Sequence, residues 1–360
     1  MDISLLTDKY REMSERKVEK RILRAKKKLG DSLLILGHHY QRDDVIRFAD
    51  LRGDSFELSK LASEEKKAQY IVFCGVHFMA ESAAILCGEE RRVMIPDPLS
   101  GCPMADMADR EEVECAWEDI LRLTGDSIIP VTYMNSDAKI KAFCGEREGA
   151  VCTSSNAPGI FRWALGKKEK IFFFPDEHLG RNTAVKLGIG LNDIIVWDPS
   201  LDMGGNSAED VKRARVIVWK GYCHVHTKFQ ADDIRKIREQ FPGIKVIVHP
   251  ECPYEIVQES DGDGSTGYIV KTVSTAPSKT KWAVGTEIHL VNRLQEENKD
   301  KFVTPLSRSL CGTMYLINTR NLLWILEGIL KGKYINVVKI PEETSKWART
   351  ALERMLAITH

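Results

Sequence analysis

Three apolar segments of the chain end in side chains that can transfer protons or bind acidic ligands. The segments read SLLILGHHYQ, SIIPVTYMN and IKVIVHPE, and their chemical residues are His38 and Tyr40, Tyr133 and Asn135, and His249 and Glu251. The third pair is the sharpest signal, because a glutamate at a buried strand end is unfavourable unless it has a partner or a task. We therefore predict that His249 and Glu251 take part in acid–base chemistry, whereas HxY and YxN by themselves could simply end a strand.

A short serine or threonine motif follows each of these segments. Ser55 lies 17 residues after His38, Ser154 lies 21 after Tyr133, and Thr266, with Ser265 before it, lies 17 after His249. Such hydroxyls are commonly helix N-caps. A capping hydroxyl beside free backbone N–H groups also makes a cradle for a carboxylate or a phosphate, so both interpretations are compatible.

Each copy of this pattern closes with a further apolar run that leads to a cysteine, at Cys102, Cys223 and Cys311. No CxxC pair is present, which argues against a zinc ribbon. Three thiolates on a cubane iron–sulfur cluster would leave one iron without a protein ligand, and that iron could act as a Lewis acid. The alternative is that these thiols simply pack as small hydrophobic side chains.

The other cysteines have plainer interpretations. Cys74 and Cys115 fit packed thiols, and Cys152 and Cys252 fit thiols that line a pocket. His224 and His226, beside Cys223, resemble half of a zinc site without a second pair.

The elements that must position these residues read as parallel strands separated by helices. Three apolar runs and the serine motif mark four strand positions in each copy, which predicts three copies of a four-stranded parallel sheet. Segment REEVECAWEDILRL shows the helical part, with Val113, Ala116, Trp117, Ile120 and Leu121 on one face. Ligands bind beyond the carboxyl ends of parallel strands, where the chemical residues lie in every copy.

We therefore predict an α/β fold of three pseudo-symmetric α/β/α domains, each with a short parallel sheet, packed around a central active site. The predicted domains span residues 1–110, 111–228 and 229–339, and the second carries an insertion near 182–210. Charged helices are expected over 8–29, ending at Gly30, and over 340–360, beginning near Pro341, both as packing elements that flank the first domain.

Composition excludes several classes of partner. Lysine plus arginine equals aspartate plus glutamate at 52 each, so no net field would attract nucleic acid or an anionic membrane. No apolar leader and no window of about 18 apolar residues is present, so we expect a cytoplasmic location. The nine cysteines then argue against a disulfide framework, because cytosolic thiols stay reduced.

Eleven motifs, taken in order, make the chain similar to the quinolinate synthase family along nearly its whole length. They are HHY, GDSFELSK, GVHFMAES, GCPMADMA, YMN, TSSNA, PDEHLGR, WKGYCHVH, HPEC, DGSTGYI and CGTMYLIN. No single motif is decisive, but eleven in sequence make chance similarity implausible. A longer middle copy and the EREG segment near 146 depart from the pattern without touching a matched residue.

This resemblance implies a reaction of iminoaspartate with dihydroxyacetone phosphate to give quinolinate, phosphate and water, on the route to NAD. It implies one [4Fe-4S] cluster per chain on Cys102, Cys223 and Cys311, and a functional link to an L-aspartate oxidase or dehydrogenase that supplies iminoaspartate.

The resemblance also implies roles for the polar residues. His38 is expected to contact a substrate carboxylate, and Tyr40 to transfer a proton or orient a carbonyl. Tyr133 and Asn135 would orient substrate. The hydroxyl groups of the serine and threonine motifs would hold the acidic substrate; they belong to Ser55, Ser154, Ser265 and Thr266.

Three other functions remain open from sequence alone. A cluster-dependent hydro-lyase for another small acid would use the same open iron. A zinc hydrolase built on Cys223, His226 and His249 would be colourless and stable in air. A redox sensor or electron carrier would not need His249 or Glu251. Anaerobic purification and product detection separate these hypotheses.

Overall fold

The computed structural model describes residue 6 and residues 8–358. The chain divides into two compact units. One runs to Cys102 and resumes over Cys311–Pro341, and the other comprises Pro103–Leu310 and the segment from Glu342 onward. Among the described residues, no helix is both long and apolar enough to cross a membrane.

The first unit is built on a four-stranded parallel sheet. Its strands are β1 (Leu33–His38), β2 (Leu51–Gly53), β3 (Tyr70–Cys74) and β4 (Arg92–Met94). They lie in the order β2-β1-β3-β4, and every residue of β1 is buried. This burial explains why β1 reads as a continuous apolar run rather than an alternating one.

Helices cover the sheet of the first unit. They are α1 (Asp8–Arg11), α2 (Glu15–Leu29), α3 (Asp43–Ile46), α4 (Ser55–Glu64), α5 (His77–Cys87), α15 (Gly312–Tyr315) and α16 (Thr319–Ile329). The prediction of a single helix over 8–29 is wrong, because the helix is interrupted between α1 and α2. Ser14, the N-cap of α2, adopts an extended conformation there. The predicted end at Gly30 is confirmed, since Gly30 takes a φ of 50° that favours glycine.

The second unit contains a five-stranded parallel sheet. Its strands are β5 (Ile128–Tyr133), β6 (Ala150–Cys152), β7 (Lys170–Phe174), β8 (Ile194–Trp197) and β9 (Val216–Trp219), in the order β6-β5-β7-β9-β8. The sequence predicts four strands here. The fifth, β8, lies within the predicted insertion and extends the sheet edge by pairing with β9.

A second four-stranded parallel sheet lies in the same unit. Its strands are β10 (Lys245–Val248), β11 (Gly262–Asp263), β12 (Lys281–Gly285) and β13 (Phe302–Pro305), in the order β11-β10-β12-β13. Its buried core joins Val246 and Val248 of β10 to Ile234, Ala283 and Leu306. The three sheets thus repeat one strand order, and the predicted α/β fold with three parallel sheets is confirmed.

Helices connect the strands of the second unit. They are α6 (Arg110–Thr124), α7 (Ala138–Glu146), α8 (Ala157–Leu165), α9 (Glu177–Lys186), α10 (Ala208–Arg213), α11 (Ala231–Gln240), α12 (Tyr254–Glu259), α13 (Thr266–Thr275), α14 (Ile288–Glu297) and α17 (Glu342–Ala357). The face predicted for α6 is buried at Val113, Ala116, Trp117 and Ile120 and half-buried at Leu121.

The predicted C-terminal helix is α17, and it packs against α7 of the second unit rather than on the first domain as predicted. Gly145 permits this approach, because a Cβ there would lie 1.9 Å from the carbonyl oxygen of Trp347. The last two positions of the predicted range, 359–360, lie outside the described residues. The three domain boundaries drawn from the sequence stay a prediction.

Candidate active site

The carboxyl end of β10 places His249 and Glu251 in the interior of the second unit. They are 3% and 2% exposed, and the His249 backbone N–H still donates to the Gly285 carbonyl at 3.1 Å. The Glu251 backbone N–H donates to His249 Nδ1 at 3.4 Å. The neutral imidazole therefore carries its proton on Nε2, from which it donates to Ser154 Oγ at 3.2 Å.

The Glu251 carboxylate is the centre of a buried polar network. Tyr133 Oη donates to Oε1 at 2.5 Å, and His226 Nδ1 donates to Oε2 at 2.8 Å. His249 Nδ1 lies 3.6 Å from Oε1. Both carboxylate oxygens thus have short contacts, which satisfies a group that would otherwise be costly to bury.

Glu251 and His249 differ in charge at neutral pH, because the network shifts their pKa values. Burial acts to raise the pKa of Glu251, but interactions with His226 and His249 and the hydrogen bonds from His226 and Tyr133 outweigh it and hold that pKa below its usual range. Burial lowers the pKa of His249 to about 3, only partly offset by Glu251. At neutral pH the site therefore contains an ionised glutamate beside a neutral His249.

His226 is a candidate functional residue that the sequence analysis did not include in the acid–base site. It lies in the turn after β9, is 1% exposed, and stacks on His249 with ring centroids 4.4 Å apart. Its second nitrogen, Nε2, lies 3.2 Å from Thr286 Oγ1 after β12. The sequence suggested only zinc-binding roles for His226, with Cys223 or with Cys223 and His249, and gave no signal for Thr286.

The start of α9 supports the turn that carries Glu251. Asn182 Nδ2 donates to the carbonyl oxygens of Pro250 and Cys252, at 2.9 and 2.8 Å. Asp176 caps the same helix, since its Oδ1 accepts from the backbone N–H groups of His178 and Leu179. Burial, with the negative charge of Glu251, raises the pKa of Asp176 well above its usual range.

The hydroxyl motifs lie at the predicted helix starts, and the N-cap prediction is confirmed for Ser265 but wrong for Ser55 and Ser154. Ser265 is the N-cap of α13 and accepts from the Tyr268 N–H at 3.2 Å, with Thr266 next in the first turn. Ser55 and Ser154 are not N-caps, because Asp54 and Asn156 hold those positions.

Asp54 displaces Ser55 because its carboxylate accepts from two N–H groups at the start of α4. Ser154 instead contacts His249. Asn135 follows β5, and its buried Oδ1 lacks a hydrogen-bond partner among the described residues, which leaves an acceptor for a ligand.

In the first unit, His38 ends β1 with the same local turn that His249 shows after β10. The Tyr40 backbone N–H donates to His38 Nδ1 at 3.2 Å, and the two rings meet edge to face at a centroid distance of 4.9 Å. His38 is buried. In both turns the Nδ1 atom of the histidine accepts a hydrogen bond from the backbone two residues later. That residue is Tyr40 after His38 and Glu251 after His249.

Three cysteines stand apart from the rest by their surroundings. Cys102, Cys223 and Cys311 lie in loops after β4, β9 and β13 and are half-buried. Cys311 Sγ lies 3.5 Å from Thr313 Oγ1 at the start of α15. Accessible loop thiols are suitable donors for iron, in contrast to thiols buried in a core.

The buried cysteines are poor candidates for thiolate ligands. Burial raises the pKa of Cys74 to about 12 and raises those of Cys144, Cys152 and Cys252 as well. Cys252 packs within the core of the third sheet despite its position next to Glu251. Cys115 is exposed, so its prediction as a packed thiol is wrong, because it lies off the buried face of α6.

Acid–base residues at the carboxyl ends of parallel strands are typical of α/β enzymes, which bind their ligands at this edge of the sheet. Comparison with known proteins narrows this class. The family model for quinolinate synthetase A protein matches residues 20–357. The chain belongs to this family of enzymes, as the sequence motifs predicted.

Curated relatives agree over nearly the whole chain. A quinolinate synthase of Rhodopirellula baltica is 48% identical, covering 97% of this chain and 93% of that protein. Quinolinate synthases of Acidobacterium capsulatum and Anoxybacillus flavithermus are 50% and 49% identical, each over 98% of this chain and 95% and 96% of theirs.

Proposed function

We propose that the chain condenses iminoaspartate with dihydroxyacetone phosphate to give quinolinate, phosphate and water, in de novo NAD biosynthesis. The observation that carries this proposal is the match of about half of all residues to relatives named quinolinate synthase over nearly full length. The buried Glu251 network adds support, because enolisation, dehydration and aromatisation all require proton transfer.

The proposal assigns proton movement to the strand-end residues. Glu251, held ionised by His226 and Tyr133, accepts a proton, while the neutral His249 ring donates a hydrogen bond from Nε2 to a substrate oxygen that replaces Ser154 Oγ. Tyr40, beside His38, is assigned proton transfer or carbonyl orientation in the same reaction.

Substrate recognition is assigned to the remaining polar residues. The unpartnered Oδ1 of Asn135 and the N-terminus of α13 at Ser265 and Thr266 suit an anionic substrate with hydrogen-bond donors. The proposed substrate-binding set also includes His38, Ser55, Tyr133, Ser154, His249 and Glu251.

The proposed cofactor is one [4Fe-4S] cluster held by Cys102, Cys223 and Cys311. When bound, it would supply an iron without a protein ligand as a Lewis acid for substrate oxygen. A cluster on accessible thiols suits a reducing cytoplasm. Iminoaspartate would come from an L-aspartate oxidase or dehydrogenase, with no role for nucleic acid or membrane.

The direct test is anaerobic incubation of cluster-reconstituted protein with iminoaspartate and dihydroxyacetone phosphate, followed by detection of quinolinate by mass. We expect quinolinate and phosphate in equal amounts. Protein with a full cluster that releases no quinolinate would refute the proposal and favour a hydro-lyase for another acid.

The cysteine assignment has its own test. Serine in place of Cys102, Cys223 or Cys311 replaces a soft thiolate with a hard hydroxyl, so each variant should reconstitute with little or no four-iron cluster. Cys252→Ser and Cys152→Ser are matched controls that should retain the iron content and colour of the wild type. Loss of cluster in Cys252→Ser, beside its retention in Cys311→Ser, would contradict the assignment.

A further inference from the structure

Three different metal-binding side chains meet at the edge of the Glu251 network. Donor atoms of Cys223, His226 and Glu251 all lie within 4.8 Å of one another. His226 and Glu251 are buried, and Cys223 is half-buried. A sulfur, a nitrogen and an oxygen donor form a set that zinc and similar divalent cations bind in proteins.

Thr286 and Tyr133 orient two of these ligands, His226 and Glu251, through hydrogen-bond contacts. His226 Nε2 lies 3.2 Å from Thr286 Oγ1, so the ring can donate to Thr286 once Nδ1 has lost the proton that it shares with Glu251. Tyr133 Oη donates to Oε1 of Glu251, which leaves Oε2 on the His226 side. Metal-bound histidines and carboxylates are oriented by outer hydrogen bonds of this kind.

The movement needed to close the site is small. A tetrahedral zinc ion places its donor atoms about 3.3–3.6 Å apart. The 2.8 Å separation of His226 Nδ1 and Glu251 Oε2 would open by about half an ångström as the ion replaces the shared proton. Cys223 would move inward by about 1.5 Å at most, and it lies on a loop.

His249 is not part of this site, although the sequence suggested a zinc set of Cys223, His226 and His249. Its Nδ1 accepts from the Glu251 backbone N–H, and its Nε2 faces Ser154. Its ring stacks face to face on the His226 ring, so the nitrogens of His249 do not point toward the atom that His226 would bind. Glu251 takes its place, and the fourth position stays with solvent or substrate.

We propose that the cluster-free protein binds one zinc-class divalent cation at Cys223, His226 and Glu251, and that this ion and the iron–sulfur cluster exclude one another. Exclusion follows because both require the Cys223 thiolate, and zinc binds such donors more tightly than ferrous iron does. The cation site stands on geometry alone, whereas the exclusion rests on the proposed function.

Cobalt(II) titration of the full-length, metal-free protein under anaerobic conditions tests the cation site. We expect one cobalt per chain, with a thiolate-to-cobalt charge-transfer band and tetrahedral visible bands that zinc abolishes. Cys223→Ser should lose the charge-transfer band. His226→Asn and Glu251→Gln should each weaken binding at least roughly 10-fold, the scale seen when support of a metal site is lost.

His224→Asn is the matched control, because His224 is exposed on the same loop and should bind cobalt as the wild type does. Thermal melting of each apo variant identifies any that fails to fold, and Glu251→Gln, which keeps the side-chain shape, then decides the question. No charge-transfer band in the wild type, or a band lost only in His224→Asn, would overturn the proposal.

Exclusion is tested by reconstituting zinc-loaded and metal-free protein in parallel. Zinc-loaded protein should gain little iron and colour until a chelator removes the zinc. Full cluster uptake with zinc still bound would refute exclusion while leaving the cation site intact. Neither experiment uses substrate, so failure here is distinguishable from failure to form quinolinate.

Discussion

Two carboxyl groups of the second unit, Glu251 and Asp176, are buried to nearly the same degree and yet differ in protonation. Glu251 is 2% exposed and Asp176 is 0% exposed. Side chains of His226 and Tyr133 hold Glu251 ionised. Asp176 accepts only backbone N–H groups through Oδ1, and its Oδ2 has no hydrogen-bond partner among the described residues. Partners, rather than burial, decide which carboxyl is ionised.

The comparison identifies the chemistry each group can perform. A carboxylate kept ionised beside a neutral histidine can accept a proton, whereas a carboxyl kept protonated can only hold structure or donate. Glu251 in HPE and Asp176 in PDE both follow the end of a parallel strand. The sequence therefore does not distinguish them, because the deciding residues come from other strands.

The largest expected effect comes from removing the charge of each group while keeping its shape. Glu251→Gln should lower kcat by about 100-fold or more, the scale of general-base catalysis, with the cluster intact. Asp176→Asn should stay near wild type. Anaerobic kinetics, normalised to measured iron content, check both. Equal losses of kcat in the two variants would contradict the claim that Glu251, and not Asp176, accepts the proton.

His226→Asn should have the next largest effect, because it removes the main group that lowers the pKa of Glu251. Activity requires ionised Glu251 and falls as pH drops through its pKa. Raising that pKa therefore moves the acidic limb of the kcat profile to higher pH, by about 1–3 pH units.

His289→Asn is the matched control for His226. His289 Nδ1 lies 2.9 Å from Glu287 Oε1, so the same kind of pair is lost elsewhere in the unit. Its profile should match wild type. An unshifted acidic limb in His226→Asn would show that His226 does not set the charge of Glu251.

Tyr133→Phe should have a smaller effect of the same sign. It removes one hydrogen bond to a charged oxygen, worth about 1.5–3 kcal/mol, and leaves the His226 contact. We expect roughly a 10-fold lower kcat/KM, with a smaller shift of the acidic limb than in His226→Asn. Tyr222→Phe, at an exposed tyrosine, is the control. A larger shift in Tyr133→Phe than in His226→Asn would reverse the proposed ranking.

Local pattern was enough to predict the sheets but not the contacts between them. Continuous apolar runs gave three of the four strands of the first and third sheets, since both faces of those strands are covered. The edge strands β2 and β11 are short and polar, and only their place before the serine motif indicated them. Strand β8 was missed because IIVW lay in a segment interpreted as an insertion. The contacts of His226 with Glu251 and Thr286 join residues far apart in the chain, and no spacing rule reports them.

The smallest expected effect is on stability, in Asp176→Asn. A folded-state pKa raised above the unfolded value means that the folded chain binds more protons, so stability falls as pH rises from about 4 toward that pKa. The amide removes this penalty and still caps α9, because asparagine and aspartate are comparable N-caps.

The Tm of Asp176→Asn should therefore equal that of wild type near pH 4 and exceed it by a few degrees at pH 8. Each kcal/mol of added unfolding free energy raises Tm by roughly 2–4 °C. Thermal unfolding of holoprotein across this pH range measures the difference. A variant that instead becomes less stable than wild type as pH rises would show that Asp176 is ionised and favourably held. Burial without a charged partner would then no longer explain the difference from Glu251.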